Sequence, residues 1–421
     1  MDQKLVLDNK LRLIFKNLPG TEAVTIMILV GAGSRYEEAS QNGISHFLEH
    51  MFFKGAQKYK NTKEVSEAID GVGGEFNAFT GKEYAGYYVK VTKDQLALGI
   101  DVLSDMLIHA RLDQAEIEKE RGVILEEYNM YQDTPMYQIG WSFEQQLFGN
   151  QPLGWDQIGT KEVISTLNHE DFKNHMQSLY TPDNIVIALS GNFDREEALK
   201  LIQNSFGKIQ GQKAKNFKPY SEYNGDKVFL KNKNTEQAHI IVGVKATGMQ
   251  TADEWPTKLL ATILGGNMSS RMFLKIREQQ GLCYYISTST DTYSDIGSLY
   301  TRAGVDIQRT SDAIKAIKKE YLLISQEGIS EEELTKAKNY LKGKLALKLE
   351  ESDEYAHMLA RQELLRNQTE SIESIYKKID QVNVEAIQKV ANEIFGKDKF
   401  YTTTIGPFPD YEKFVKSQEI N

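Results

Sequence analysis

The apolar run Val24–Val30 (VTIMILV) carries one hydroxyl and no charge, the pattern of a buried strand. The stretch Lys4–Lys16 before it also predicts strand. After it, ISHFLEHMFF carries apolar residues at helical spacing, and a second helix is expected over Thr62–Val72. Glu75–Phe79 and Tyr84–Val91 alternate as strands do, and a helix is expected over Lys93–Ala110. Another helix begins near Leu112 and runs through EIEKERGVILEEYNMY. Asp113 stands at its cap position, with Glu116 three residues on completing a capping-box pattern.

The same order of elements then repeats. Strands are expected at Lys227–Lys231 and Ala238–Val244, and helices at Glu254–Leu264 and Ser269–Gln279. Strands follow at Cys283–Thr290 and Gly297–Val305, and helices at Ile307–Gln326 and Glu331–Glu350, the last with Ser330 at its cap. Between the halves, Gln210–Gly225 is polar with Gly, Pro and Asn, as linkers are. The pattern predicts a duplicated α+β fold: two similar domains, 1–212 and 213–421, each a mainly antiparallel sheet with helices packed on one face.

A chain of 421 residues is long enough for two such domains. Its net charge of −9 argues against sequence-independent nucleic-acid binding, which needs Lys and Arg against phosphate. One cysteine, Cys283, allows no intrachain disulfide and fits a reducing, cytoplasmic setting. The start, MDQKLVLDNKLRLIF, has no apolar secretory core, and Val24–Val30 is far short of a membrane span. Neither nucleic acid nor membrane is therefore an expected partner.

Chemistry concentrates in His46-Phe47-Leu48-Glu49-His50. On a helix, residues four apart share a face, so both imidazoles can reach one metal ion, with Glu49 beside them. This is the inverted H-x-x-E-H order of zinc hydrolases. The flanking Phe47, Leu48, Phe52 and Phe53 predict a largely buried helix, in which imidazoles need partners. A catalytic zinc takes a third protein ligand and keeps one position open. Glu120-Arg-Gly-Val-Ile-Leu-Glu-Glu127 offers carboxylates. Glu120 and Glu127 lie two turns apart on one face, and Glu126 points about 100° away, so only one of the adjacent pair can ligate.

HFLEHMFFKG followed by ERGVILEE resembles the pitrilysin/insulinase family of inverted-zincin metallopeptidases, in particular its bacterial, mitochondrial-processing-peptidase-like branch. The resemblance implies one Zn2+ per chain, held by His46, His50 and Glu127. It implies Glu49 as general base and Glu120 as the outer carboxylate that orients an imidazole. In SSRMFLKIREQQGLCYYI it implies Arg277 and Tyr284 as the pair that binds the substrate carbonyl and supports the tetrahedral intermediate. In FNAFT it implies Asn77 and Ala78 on an edge strand that binds peptide as an added strand.

The implied activity is zinc-dependent endopeptidase action on peptides or presequence-like unfolded segments, by metal-activated water with a glutamate base. Longer relatives in the family join two double-domain halves into a clamshell, so the resemblance also implies a homodimer with shared active sites. The alternatives are a non-catalytic partner or assembly subunit, and a metal-dependent hydrolase acting on something other than peptides.

Overall fold

Strands of the two halves fall into two sheets in the computed structural model, which describes residues 3–418. The first half supplies β1 (Gln3–Val6), β2 (Arg12–Asn17), β3 (Ala23–Val30), β4 (Glu75–Thr80), β5 (Ala85–Thr92) and β6 (Ile185–Gly191). The second supplies β7 (Val228–Asn232), β8 (Ala238–Ala246), β9 (Cys283–Thr292), β10 (Gly297–Val305) and β11 (Tyr401–Gly406). The sheet orders are β1-β2-β6-β3-β5-β4 and β7-β11-β8-β10-β9. Without β1 they are the same order, and each has one parallel pair, β2 with β6 and β7 with β11. The remaining pairs are antiparallel. This is the duplicated, mainly antiparallel α+β fold that the element order predicts.

Three local differences have physical reasons. Lys4–Lys16 is two strands and not one, because the chain turns over Leu7–Leu11: the Leu7 N–H donates to Leu11 O at 2.9 Å and Lys10 has φ 74°. The central strands β6 and β11 were not expected from the pattern. One is a short continuous apolar run, ambiguous between helix and strand, and the other is rich in threonine. The expected helix Ser269–Gln279 is largely a π-helix, Phe273–Gln279, a form seen mostly as short insertions.

The packed units do not follow the chain. One contains the residues up to Asn129, Asp156–Lys218 and Ala346–Ser371; the other contains Met130–Trp155, Pro219–Leu345 and the residues from Ile372 on. The expected single boundary between 212 and 213 differs from this in two segments. Helix Ser352–Arg366, from late in the chain, packs on β3 and β6 of the first unit, where Ser352 Oγ lies 2.8 Å from Thr25 Oγ1. Helix Pro135–Phe148, from early in the chain, packs on β8 and β11 of the second. There Ile139, Phe143, Leu147 and Phe148 share a core with Ile241, Tyr401 and Ile405.

Each sheet therefore has helices on both faces, where one face was expected. On β3, Ile26 meets helix Leu96–Ile108 at Gly99, while neighbouring Thr25 points the other way to Ser352. Burial from both sides explains why Val24–Val30 is apolar but for Thr25 and does not alternate.

Helix Ile44–Phe52 lies in the first unit, wedged by its aromatic residues. Phe47 packs 4.9 Å from Phe172, and Phe52 packs 5.2 Å from Tyr87 of β5. Both phenylalanines are fully buried, which contributes about 1.5–3 kcal/mol each and fixes the helix's rotation. The helix starts at Gly43, whose φ of 98° disfavours any side chain and whose added Cβ would sit 2.4 Å from Ile158 O. Among the described residues, no helix is long and apolar enough to cross a membrane.

Candidate metal centre and active site

The rotation set by Phe47 and Phe52 leaves His46, Glu49 and His50 on the partly exposed side of their helix. Facing them is helix Gln114–Asp133, which buries Ile117, Glu120 and Ile124 and presents Glu127. Glu127 Oε2 lies 3.7 Å from His46 Nε2 and 3.6 Å from His50 Nε2. Tetrahedral zinc with bonds near 2.0–2.2 Å puts its ligand atoms about 3.3–3.5 Å apart, so this donor set fits the ion with little movement. Among the described residues, His46, His50 and Glu127 are the cluster able to hold a metal. Glu126 is exposed and lies outside that cluster, as the 100° step per residue requires.

The electrostatics grade the two imidazoles differently. Burial and the neighbouring His50 push His46 down to about 3, so it is neutral, the form a metal ligand must take. His50 is also penalised by burial, but its Nδ1 is 2.8 Å from Glu120 Oε1, and this bond with the carboxylates around it raises its pKa overall. Glu120 is opposed by burial yet held below the usual carboxylate range by His50 and by Lys54, whose Nζ is 2.6 Å away. An ionised Glu120 fixes the tautomer of His50 with the proton on Nδ1, leaving Nε2 free for the metal site.

Glu49 stands apart from the three clustered donors. Its Oε2 accepts a hydrogen bond from Thr80 Oγ1 at the end of β4. Burial raises the pKa of Glu49; the Thr80 bond and His50 pull it back, and Glu127 adds to the rise. A carboxylate poised above its ordinary range beside a donor cluster of metal-ligand spacing is suited to proton transfer.

β4 is the free edge of the first sheet. Ala78 pairs with Tyr87, and Asn77 with Tyr88 on the opposite face. Ala78 and Thr80 therefore share the face that meets helix Ile44–Phe52, while Asn77 is exposed and accepts a bond from the Ala78 N–H at 2.8 Å.

Arg277 and Tyr284 lie in the second unit, and that unit brings them together. Arg277 Nε donates to the Tyr284 carbonyl at 2.9 Å, and its guanidinium sits 4.5 Å from the Phe273 ring centre. The Tyr284 side chain is 76% exposed, at the start of the edge strand β9.

Sequence reasoning missed the contacts of Thr80 and Lys54. Lys54 lies four residues after His50 in HMFFKG, and Thr80 closes the FNAFT stretch, but nothing in the sequence pairs Thr80 with Glu49.

Residues 12–160 match the family model described as insulinase (peptidase family M16), and residues 166–341 match the model described as peptidase M16 inactive domain. An uncharacterized zinc protease of Bacillus subtilis (strain 168) is 34% identical over 94% of this chain and 97% of its own. One from Mycobacterium leprae (strain TN) is 34% identical over 96% of this chain and 92% of its own. Among solved structures, a protease from Helicobacter pylori shares the fold with a TM-score of 0.89, at 21% identity over 97% of this chain and 99% of its own. A chain of complex III2 from Candida albicans does so with a TM-score of 0.84, at 20% identity over 99% and 100%. With matching family models over both halves and curated relatives along nearly its whole length, the chain belongs to peptidase family M16, the insulinase family.

Proposed function

We propose that the chain is a zinc-dependent endopeptidase that hydrolyses extended peptides or presequence-like unfolded segments. One observation carries the reading: His46, His50 and Glu127 converge at metal-ligand spacing while Glu49, in the same site, stays out of the cluster and is aimed by Thr80. When bound, zinc supplies a water of lowered pKa and polarises a carbonyl. Glu49 would take the proton of the attacking water at its carboxylate and return it to the leaving amine. The free edge of β4 around Asn77 and Ala78 takes the substrate backbone as an added strand, which selects unfolded segments. Arg277 and Tyr284 supply a cation and a phenol for the developing oxyanion. The working unit is a homodimer in the cytoplasm, with one zinc per chain.

A second reading, a non-catalytic partner or assembly subunit, draws on the description of the matched second-half domain as inactive. Metal analysis and turnover of an unstructured, internally quenched peptide separate the two. The peptidase reading expects about one zinc per chain and turnover that a chelator abolishes and added zinc restores. Bound zinc without turnover on a broad peptide set would overturn the peptidase reading, leaving the partner subunit or a hydrolase of non-peptide substrates.

Thr80→Val tests how Glu49 is tuned. The Thr80 hydroxyl favours the ionised carboxylate, so removing it raises the Glu49 pKa further above the ordinary carboxylate range. The base acts deprotonated, so the acid limb of the kcat/KM profile moves to higher pH. kcat at the plateau also falls, by about tenfold, because the carboxylate loses its aim. An unmoved acid limb means that Thr80 does not tune the base.

A further inference from the structure

The helix that carries His46, Glu49 and His50 has no side-chain cap of its own, since its cap residue is Gly43. Its first donors go to a carboxylate from outside the helix. Glu37 Oε2 accepts from the Gly43 N–H at 2.8 Å and from Asn42 Nδ2 at 3.0 Å, and Oε1 accepts from the Ser45 N–H at 3.0 Å. Glu37 is 2% exposed. A carboxylate spread over three N–H donors at the positive end of a helix satisfies groups that would otherwise be orphaned.

The same short segment holds the turn that follows β4. Arg35, also buried, places Nη1 2.6 Å from Glu83 Oε1. The Ser34 and Arg35 N–H groups donate to Gly81 O at 3.3 Å and Lys82 O at 2.9 Å. At Gly33 (φ 130°) an added Cβ would meet Gly81 O at 2.3 Å, so the two backbones approach more closely than a side chain allows. Gly81–Tyr84 is the turn that leaves β4 directly after Thr80. Gly33–Glu37 therefore touches both elements that meet at the Glu49–Thr80 bond.

We propose that Glu37 is a positioning residue for the metal centre: it holds the first turn of the ligand helix in place against the hairpin that Arg35 holds. His46 is the third residue of that helix, so fraying of the first turn displaces it before Glu49 or His50. The inference rests on the zinc-peptidase reading of the site. It adds a residue that touches neither metal nor substrate.

The test compares Glu37→Gln and Glu37→Ala with the native chain, by zinc dissociation constant from chelator competition and by kcat and KM for peptide at saturating zinc. Glu37→Ala is expected to weaken zinc binding about tenfold or more, with kcat down about tenfold and KM within about twofold. Glu37→Gln keeps one acceptor oxygen and falls between it and the native chain. Where Glu37→Ala does not fold, Glu37→Gln decides. Zinc affinity and kcat equal to native in a folded variant, with only the melting temperature lowered, would reduce Glu37 to a stability role and overturn the proposal. A native chain that binds zinc and cleaves no peptide would refute the peptidase reading alone, because the zinc constants still test the role of Glu37.

Discussion

Glutamine in place of Glu49 leaves zinc bound and lowers peptide turnover by about a hundredfold or more, whereas glutamine in place of Glu127 releases the metal. The two carboxylates share one site but differ in what they face. Glu127 Oε2 sits within 3.7 Å of both Nε2 atoms, where its charge offsets that of the ion. Glu49 faces Thr80 and is not needed to complete three protein ligands. Its amide counterpart keeps shape and volume and can still accept from the Thr80 hydroxyl, but it cannot take a proton from water. Glu126→Gln is the control: that side chain is exposed, and its loss leaves the metal in place. Metal content by mass spectrometry, with initial rates on the same samples, reads all three. Zinc lost from Glu49→Gln would move Glu49 into the ligand set, and zinc lost equally from both adjacent variants would remove the distinction between Glu126 and Glu127.

How much of this was legible in the sequence depends on the reach of each interaction. His46 and His50 are one helical turn apart, so spacing alone put them on one face, and the structure keeps them there. The duplication was legible because each half repeats its strands and helices in order, and the shared sheet order follows from it. The cap at Ser330 was legible from its place before the acidic first turn, and the structure adds its partner Glu333, three residues on, with both bonds present.

Other features needed the fold. Helices Pro135–Phe148 and Ser352–Arg366 fall where no element was expected, and periodicity does not say which sheet a helix covers, so their placement in the opposite units was invisible. Thr80 is 31 residues from the Glu49 it orients. Arg35 and Glu83 form a pair buried on both sides, across 48 residues. The π-helix before Tyr284 depends on a shifted backbone bonding pattern that no spacing of apolar side chains announces. For the two helices, for Thr80 and for the Arg35–Glu83 pair, the missing information was a partner far along the chain.

Mixing two inactive variants restores activity if the site is shared between chains. The metal group lies in one unit and the Arg277/Tyr284 pair in the other. Tyr284 is 76% exposed in the single chain, an open position for a phenol proposed to meet an oxyanion in a water-poor site. The family resemblance implies a shell of four such units, and this chain supplies two. A two-fold axis relating two copies would make the full shell with two equivalent sites, each taking zinc from one chain and Arg277 with Tyr284 from its partner. His46→Ala then disables the metal group and Tyr284→Phe the phenol, and each pure dimer is inactive. In a mixed dimer, one site carries both defects and the other carries none. Equal amounts under free exchange make half of the dimers mixed, so activity recovers to about a quarter of native. If each site took all its groups from one chain, both sites of a mixed dimer would be broken and the mixture would stay inactive. Inactivity after exchange has been shown with labelled subunits, or full activity in a strict monomer, would overturn the shared site while leaving the assignments of His46, His50, Glu127 and Glu49 intact.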